Sequence, residues 1–262
     1  MSNKSKYLFV FEGRRSEFKI VQKLEENFLG ENFGIKCVFD AEVYQLYSKM
    51  KQSGDFPLDL VNLLKERCPE NEKELSGFTR DSFESIYLFF DYDAHSSLAD
   101  DEKLIEMLEY FDNETENGLL YISYPMVEAI RQFKDEESFK ECIVKCKGRN
   151  CKLLNSCEEK DSCLQEPHYK AFVSANYPQM SNINQFTTVV WKRLINAHLA
   201  KMNYVVNKNY SFPSHLEPQL NIFKKQLENY IIQDCPKVAV LSAFPLFVLD
   251  YYGCEALKQK LM

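Results

Sequence analysis

The stretch IYLFFDYDAH, at residues 86–95, joins an apolar run to an acidic end. The run is typical of a buried β-strand, and Asp91 and Asp93 follow at its carboxyl end. Side chains two residues apart on a strand point to the same face, so we expect these two carboxylates to lie close together. Because like charges repel at short range, we expect a positive group between them.

Strand and helix patterns alternate through the first half of the chain. The sequence predicts strands at residues 6–11, 35–40, 85–93 and 118–123 and helices at residues 16–30, 41–52, 57–67, 101–112 and 125–133. Ser16 is predicted as a helix N-cap and Pro125 as a helix start. This alternation indicates an α/β fold with a mostly parallel sheet flanked by helices. In such sheets, sites form at the carboxyl ends of the strands, where Glu12, Asp91 and Asp93 lie.

The second half of the chain has a different sequence pattern. Helical patterns occupy residues 183–202 and 217–233, and a very apolar stretch at residues 238–252 predicts a buried helix. Between them and the first half lies a loop-rich segment with many cysteines and lysines. The sequence therefore predicts two domains, an α/β domain at residues 1–134 and a mainly helical region at residues 135–262.

Composition limits the function classes. The 262 residues carry a formal charge of −7, which argues against broad, non-specific capture of nucleic acid by the whole surface. The first residues lack the apolar core of a signal peptide, and we expect no membrane-spanning segment. A cytoplasmic protein is the resulting expectation, with its nine cysteines reduced.

Three short motifs carry a family resemblance. They are FEGRRSE at residues 11–17, FDYD at residues 90–93 and YPMVE at residues 124–128. In this order the motifs resemble the Toprim domain, in which a glutamate follows the first strand and D-x-D closes a later one. The match to the RloB-like and OLD-type Toprim proteins of phage-defence systems is closer, with Ser16 in place of a threonine. The resemblance covers residues 6–134.

The resemblance implies a nuclease that uses Mg²⁺ or Mn²⁺. The carboxylates that it assigns to catalysis are Glu12, Asp91, Asp93 and Glu128, and Glu17 joins them as a supporting metal ligand. The implied role is antiphage defence with a separately encoded ATPase as partner, on DNA or RNA, including tRNA. A catalytically silent regulatory or scaffold subunit is the alternative, and a homo-oligomer stays open. Ordinary turn and helix positions are the alternative for each single carboxylate.

Several basic residues are candidates for binding nucleic acid. Arg14 and Arg15 flank the first glutamate, where they could hold a phosphate. The segment at residues 140–152 is rich in cations that could follow a nucleic-acid backbone. Its predicted binding residues are Lys145, Lys147, Arg149 and Lys152. His95 is a candidate proton shuttle, and a plain loop histidine is the alternative.

Four cysteines raise the question of a structural zinc ion. Cys146, Cys151, Cys157 and Cys163 are separated by four, five and five residues, with Cys142 and His168 nearby. Structural zinc sites usually contain a tight C-x₂₋₄-C pair, and only the first spacing meets that rule. A reduced, loop-rich cysteine segment is therefore the favoured interpretation.

We predict that the purified protein contains little zinc, because this spacing is too loose for a typical four-thiolate site. Elemental analysis of protein purified without added metal measures this directly. About one zinc per chain, lost in a Cys151→Ser/Cys157→Ser variant, would contradict the prediction.

Overall fold

The computed structural model of the protein describes residues 6–30, 33–54, 58–148, 151–152, 154–156, 158 and 168–262. By its internal contacts the chain forms two compact units. The first comprises Met1–Phe90 and Asp100–Tyr121, and the second comprises Asp91–Ala99 and Ile122–Met262. The predicted domain boundary after residue 134 falls inside the second unit, and it stays a prediction about domains.

A five-stranded sheet organises the first unit. Its strands are β1 (Tyr7–Phe11), β2 (Gly34–Val38), β3 (Ser85–Asp91), β4 (Asp112–Asn113) and β5 (Gly118–Ser123). Their order is β2-β1-β3-β5-β4; β1 pairs in parallel with β2 and β3, and β4 pairs antiparallel with β5. The predicted α/β class with a mostly parallel sheet is confirmed. The short strand β4, which the sequence analysis missed, is an edge strand of two residues.

The helices of the first unit largely match the predicted ones. They are α1 (Ser16–Leu24), which continues as a π-helical turn at Glu25–Leu29, α2 (Val43–Gln52), α3 (Leu60–Arg67), α4 (Pro69–Glu74) and α5 (Asp101–Tyr110). The N-cap prediction for Ser16 is wrong, because Ser16 is already helical and Arg15 precedes it without a side-chain cap. Helix α4 was missed. Extended Cys68 interrupts the helical chain, and Pro69 then starts a new helix.

Aromatic side chains fill the core along β1 and β3. Every residue of β3 is buried, as expected for a central strand that is covered on both faces. The Phe89 ring lies 5.5 Å from the Phe11 ring and 5.3 Å from the Tyr121 ring, centroid to centroid. Burying each such side chain stabilises the fold by about 1.5–3 kcal/mol. This packing fixes β3 within the sheet.

The second unit is mainly helical. Its elements are a 3₁₀ helix at Val127–Arg131, α6 (Glu136–Lys140), β6 (Ile143–Lys145), α7 (Tyr169–Asn176), α8 (Thr188–Asn207), α9 (Gln219–Gln226) with a π-helical continuation at Leu227–Ile231, β7 (Lys237–Ala239), α10 (Ala243–Tyr252) and α11 (Cys254–Leu261). The predicted helical C-terminal part is confirmed. Within the described residues, no helix is both long and apolar enough to span a lipid bilayer.

Two predicted helices in this unit have different starts. The helix predicted from residue 238 begins only at Ala243, because residues 237–239 form β7 and pair antiparallel with β6. The helix predicted from Pro125 is replaced by the short 3₁₀ helix, and the Tyr124–Pro125 peptide bond is cis. Tyr124 instead forms a β-bridge with Leu241. Backbone pairing with distant residues therefore determines the conformation of both segments, in place of the helix that their local pattern predicts.

Two titratable side chains are buried among the helices of the second unit. The His198 Nδ1 atom accepts a hydrogen bond from the backbone N–H of Ser242 at 3.1 Å, which places the proton of the neutral ring on Nε2. Burial lowers the pKa of His198 to about 3. Lys201 donates to the carbonyl oxygens of Phe139, at 2.8 Å, and Cys142, and burial lowers its pKa to about 8. Burial thus disfavours the charged form of both groups: His198 is neutral at pH 7, whereas Lys201, whose pKa still lies above 7, remains mostly protonated.

His198 should make the fold sensitive to acid. Its folded pKa of about 3 lies below the ordinary value of 6.5, so the unfolded chain takes up the proton first as the pH falls. Between pH 7 and pH 5 the wild type should lose about 2 kcal/mol more stability than a His198→Asn variant, whose amide oxygen can replace Nδ1. Urea unfolding at both pH values measures the difference. The exposed His168, replaced by Asn, is the matched control, and equal losses in wild type and His198→Asn would contradict the prediction.

Candidate functional site

The acidic motif lies at the carboxyl end of β3 and in the turn that follows. Asp91 is the last residue of the strand, and both Asp91 and Asp93 are buried, with 6% and 7% of their surface exposed. The backbone N–H of Tyr92 donates to the Ser123 carbonyl at 3.0 Å, and that of Asp93 donates to the Pro125 carbonyl at 3.2 Å. These bonds hold the motif beside residues 123–125.

Asp93 leaves the strand conformation. Its φ is 42°, in the left-handed region, and its carbonyl accepts a hydrogen bond from the Ser96 N–H at 2.8 Å, which closes a turn. The expectation that the two carboxylates point the same way assumed that the strand continued to Asp93, and it does not. Residues held at positive φ cost on the order of 1–3 kcal/mol and cluster at functional sites. Aspartate tolerates this conformation better than most residues, and Asp40 and Lys208 adopt it as well, so the φ of Asp93 accounts for the turn and is not by itself evidence of a function.

Glu128 lies on the 3₁₀ helix that follows residues 123–125. The side chain is 2% exposed. Its Oε1 atom lies 3.6 Å from a guanidinium nitrogen of Arg131 and 3.8 Å from Nζ of Lys170. Its Oε2 atom is buried and has no hydrogen-bond partner. A buried carboxylate oxygen without a partner costs free energy, so Glu128 is suited to bind a further group.

Tyr169 connects Glu128 with Asp91. The Tyr169 hydroxyl donates a hydrogen bond to Oε1 of Gln132 at 2.5 Å. Burial raises the pKa of Tyr169 well above its ordinary value, and nearby acidic groups, Glu128 and Asp91 among them, raise it further. Asp91 and Glu128, 37 positions apart in the sequence, therefore both influence the same phenol.

His95 lies close to Asp93. Its Nδ1 atom is 3.8 Å from Oδ1 of Asp93, and its ring centroid is 6.3 Å from that of His168. About half of the His95 side chain is exposed to solvent. The predicted role as a proton shuttle requires both access to solvent and a neighbouring carboxylate, and the position of His95 offers both.

The first unit contains the other two predicted carboxylates. The Glu12 backbone donates to the Phe89 carbonyl at 3.1 Å and accepts from the Asp40 N–H at 3.0 Å, so this residue is fixed just after β1. Glu17 is buried, and its Oε1 atom accepts a hydrogen bond from the Gly13 N–H at 3.1 Å. A Cβ atom at Gly13 would lie 3.3 Å from that oxygen, so a glycine suits this close approach. Glu17 has a structural role here, and its role as a metal ligand stays a prediction.

The predicted basic residues have different environments. Arg14 forms an ion pair with Glu70 at 3.0 Å and a hydrogen bond to Sγ of Cys68, so a phosphate at this position would compete with Glu70. The hydrogen bond from Arg14 lowers the pKa of Glu70. Arg15 is exposed. Lys145 lies on β6, Lys147 is half-buried and Lys152 is exposed, whereas Arg149 lies outside the described residues.

The cysteines leave the zinc prediction open. Cys146 is buried and Cys151 half-buried, whereas Cys157 and Cys163 lie outside the described residues. Burial raises the pKa of Cys142, which disfavours the thiolate that zinc binding needs.

The chemistry of the carboxylates fits a hard divalent cation. Oxygen ligands suit Mg²⁺ and Mn²⁺, and Mg²⁺ is usually held by one or two carboxylates while it keeps several waters. In the part of the chain that the structure describes, no group of three or more His, Cys, Asp or Glu side chains is arranged to hold a metal ion. The unsatisfied oxygen of Glu128 still meets the smaller requirement of Mg²⁺. Asp91, Asp93 and Glu128 do not converge into such a group, so their joint role as metal ligands stays a prediction of the Toprim resemblance.

Three neighbours of the acidic residues escaped the sequence analysis. Arg131 follows Glu128 by one helical turn, a spacing that could have indicated the ion pair. Tyr169 and Lys170 come from α7, about 40 residues further on, and no local signal connects them with Glu128. They became visible only once the chain was folded.

Comparisons of this chain with protein-family models, with curated proteins and with solved structures find no match. The similarity to Toprim proteins therefore depends on the motifs at residues 11–17, 90–93 and 124–128. It stays a prediction, as do the metal and the activity that it implies. What the structure adds is the common neighbourhood of Asp91 and Glu128 and the unsatisfied oxygen of Glu128.

Proposed function

We propose that this protein is a divalent-metal-dependent endonuclease that hydrolyses phosphodiester bonds in DNA or RNA. The observation that carries the proposal is the buried carboxylate of Glu128, one oxygen of which lacks a hydrogen-bond partner, in the same unit as Asp91 and Asp93. An ionised group in such a place is stabilised by a cation or by a water bound to one. Tyr169, which is influenced by both Glu128 and Asp91, supports a common site.

Each residue has a role that follows from its chemistry. Asp91, Asp93 and Glu128 would bind the cation or orient its waters. The ligand roles of Glu12 and Glu17 stay predictions of the Toprim resemblance alone. A bound Mg²⁺ or Mn²⁺ polarises the phosphoryl oxygen and lowers the pKa of an attacking water. Arg131 and Lys170 place positive charge beside Glu128 and can contact a phosphate oxygen. His95, beside Asp93, can accept or donate a proton at its exposed ring.

The biological setting that we propose follows the resemblance alone. Toprim nucleases of phage defence act as cytoplasmic effectors with a separate ATPase, and the chain contains no G-x₄-G-K-[ST] motif of its own. We therefore propose that an ATPase partner controls the nuclease. Such control suits an enzyme that would otherwise cut host nucleic acid.

A catalytically silent subunit is the second candidate. One observation favours it: the Oε1 atom of Glu128 already has two cationic neighbours, Arg131 and Lys170, which compensate part of its charge. A scaffold needs no metal, and the carboxylates would then only position these cations. The two candidates differ in whether a divalent cation binds and whether cleavage occurs.

We predict that Asp91→Asn abolishes cleavage. The amide keeps the shape of the side chain but loses the charge that holds the cation, and a loss of about 100-fold or more is expected. The measurement is cleavage of plasmid, single-stranded DNA and tRNA with Mg²⁺ or Mn²⁺, by the chain alone and with its ATPase partner.

Asp112→Asn, an exposed aspartate on β4, is the matched control and should cleave at the wild-type rate. If Asp91→Asn cleaves as fast as wild type, Asp91 is not in the active site. If the wild type cleaves none of the substrates under any of these conditions, the silent subunit becomes the better proposal.

Metal binding gives a prediction that does not depend on activity. A cation that binds only the folded chain raises its stability, by about 2.7 kcal/mol at a hundred times the dissociation constant. We expect Mg²⁺ and Mn²⁺ to raise the melting temperature of the wild type, and Glu128→Gln to lose most of that rise because a neutral amide binds these cations poorly. Glu255→Gln, an exposed position on α11, should keep the full rise. An equal rise in Glu128→Gln would exclude Glu128 as a ligand.

A further inference from the structure

A groove with a volume of about 560 Å³ lies in the second unit, between the β6–β7 ribbon and one face of α7. We call it the β6–α7 groove. Its lining residues are Ile143, Val144, Lys145, Tyr169, Phe172, Asn176 and Lys237. The volume is in the range of small-molecule sites, which hold ligands of the size of a nucleotide. Of these lining residues, the sequence predicted a functional role only for Lys145.

The helical wall of the groove is aromatic. Tyr169, Phe172 and Asn176 are spaced by three and four residues, so they lie on one face of α7. Phe172 is only half-buried, so part of its ring stays accessible to solvent. Accessible aromatic rings of this kind stack on the faces of unpaired bases, and an amide such as that of Asn176 can hydrogen-bond to base edges.

The opposite wall is positively charged. Lys145 on β6 and Lys237 on β7 are direct partners in the antiparallel register. Two neighbouring ammonium groups can contact the same phosphate group. Among the described residues that line the groove, none is acidic. The charge of the groove is therefore complementary to a phosphate group.

The groove is connected to the acidic residues through α7. Tyr169 lines the groove and is also the phenol whose pKa responds to Glu128 and Asp91. The next residue, Lys170, lies 3.8 Å from Glu128. A chain of nucleotides bound in the groove would thus have its neighbouring phosphates near these carboxylates.

We propose that the β6–α7 groove binds single-stranded nucleic acid, with a base stacked on Phe172 and a phosphate held by Lys145 and Lys237. This inference rests on the proposed nuclease function, for which it names the substrate class. A duplex keeps its bases stacked inside the helix and presents no free face to an aromatic ring. Single-stranded segments, including RNA loops, offer both the base and the phosphate.

The test is equilibrium binding of fluorescent oligonucleotides to the full chain in EDTA, so that cleavage does not interfere. The probes are single-stranded DNA, single-stranded RNA of the same sequence, the DNA duplex and an abasic strand of equal length. Single-stranded DNA and single-stranded RNA both offer an unpaired base and a phosphate. The ratio of their affinities shows which of the two the groove prefers. We expect the better single strand to bind at least about tenfold more tightly than the duplex and the abasic strand.

Two variants separate the stacking contact from the charge contact. Phe172→Leu keeps an apolar side chain but removes the ring, and it should weaken binding about tenfold while Phe172→Tyr preserves it. Lys237→Gln should reduce the slope of log K against log[salt] by about 0.7, the value for one phosphate of a single strand. Lys258→Gln, an exposed lysine on α11, should leave that slope unchanged. Thermal melting checks that each variant is folded.

Several results would overturn the inference. They are equal affinity for duplex and single strand, equal affinity for the abasic strand, or folded Phe172→Leu protein with wild-type affinity. These outcomes are distinct from failure of the nuclease proposal. Cleavage of duplex DNA that depends on Asp91 but not on Phe172 would support the nuclease proposal and contradict the groove proposal. Tight single-strand binding without any cleavage would support the groove proposal and contradict the nuclease proposal.

Discussion

The arrangement of the acidic residues depends on two backbone hydrogen bonds, from Tyr92 to Ser123 and from Asp93 to Pro125. β3 and β5 are neighbouring strands, and these bonds extend their pairing beyond the last residue of β3. The segment that carries Asp91 and Asp93 therefore lies beside residues 123–125, which lead to Glu128. Since these bonds involve only backbone atoms, they do not require particular side chains. The carboxylates can therefore serve chemistry while the backbone supports the fold.

Glu128 shows how the fold tolerates a buried charge without fully satisfying it. Arg131 and Lys170 stand 3.6 and 3.8 Å from one oxygen, too far for good hydrogen bonds, and the other oxygen has none. The two cations compensate part of the negative charge of Glu128 without holding its carboxylate in strong hydrogen bonds. A ligand can thus approach without first displacing a strong hydrogen bond. Arg14 is the contrast, because its Nη2 atom already donates to Glu70 at 3.0 Å and to Cys68 at 2.9 Å.

Much of the fold was predictable from the sequence because its periodicity is strong. The apolar strands β1, β3 and β5 and the amphipathic helices α1, α2 and α5 follow patterns that are visible over several residues. Two of the failures, at the segments that begin with residues 125 and 238, involve backbone that pairs with distant parts of the chain. Residues 238–241 have a continuous apolar pattern that suits a helix or a strand, and only the pairing of residues 237–239 with β6 favours the strand.

For the candidate site, the sequence by itself determined which carboxylates follow the strands, because strand ends and acidic residues are local features. This pattern selected Glu12, Asp91 and Asp93, and the Toprim resemblance added Glu128; Asp91, Asp93 and Glu128 lie in one compact unit. Only the tertiary structure decided that Asp93 adopts a positive φ, that Glu128 is buried with an unsatisfied oxygen, and that α7 brings Tyr169 and Lys170 to it. The physical reason is that burial and charge pairing depend on contacts between residues far apart in the chain, whereas periodicity depends on neighbours.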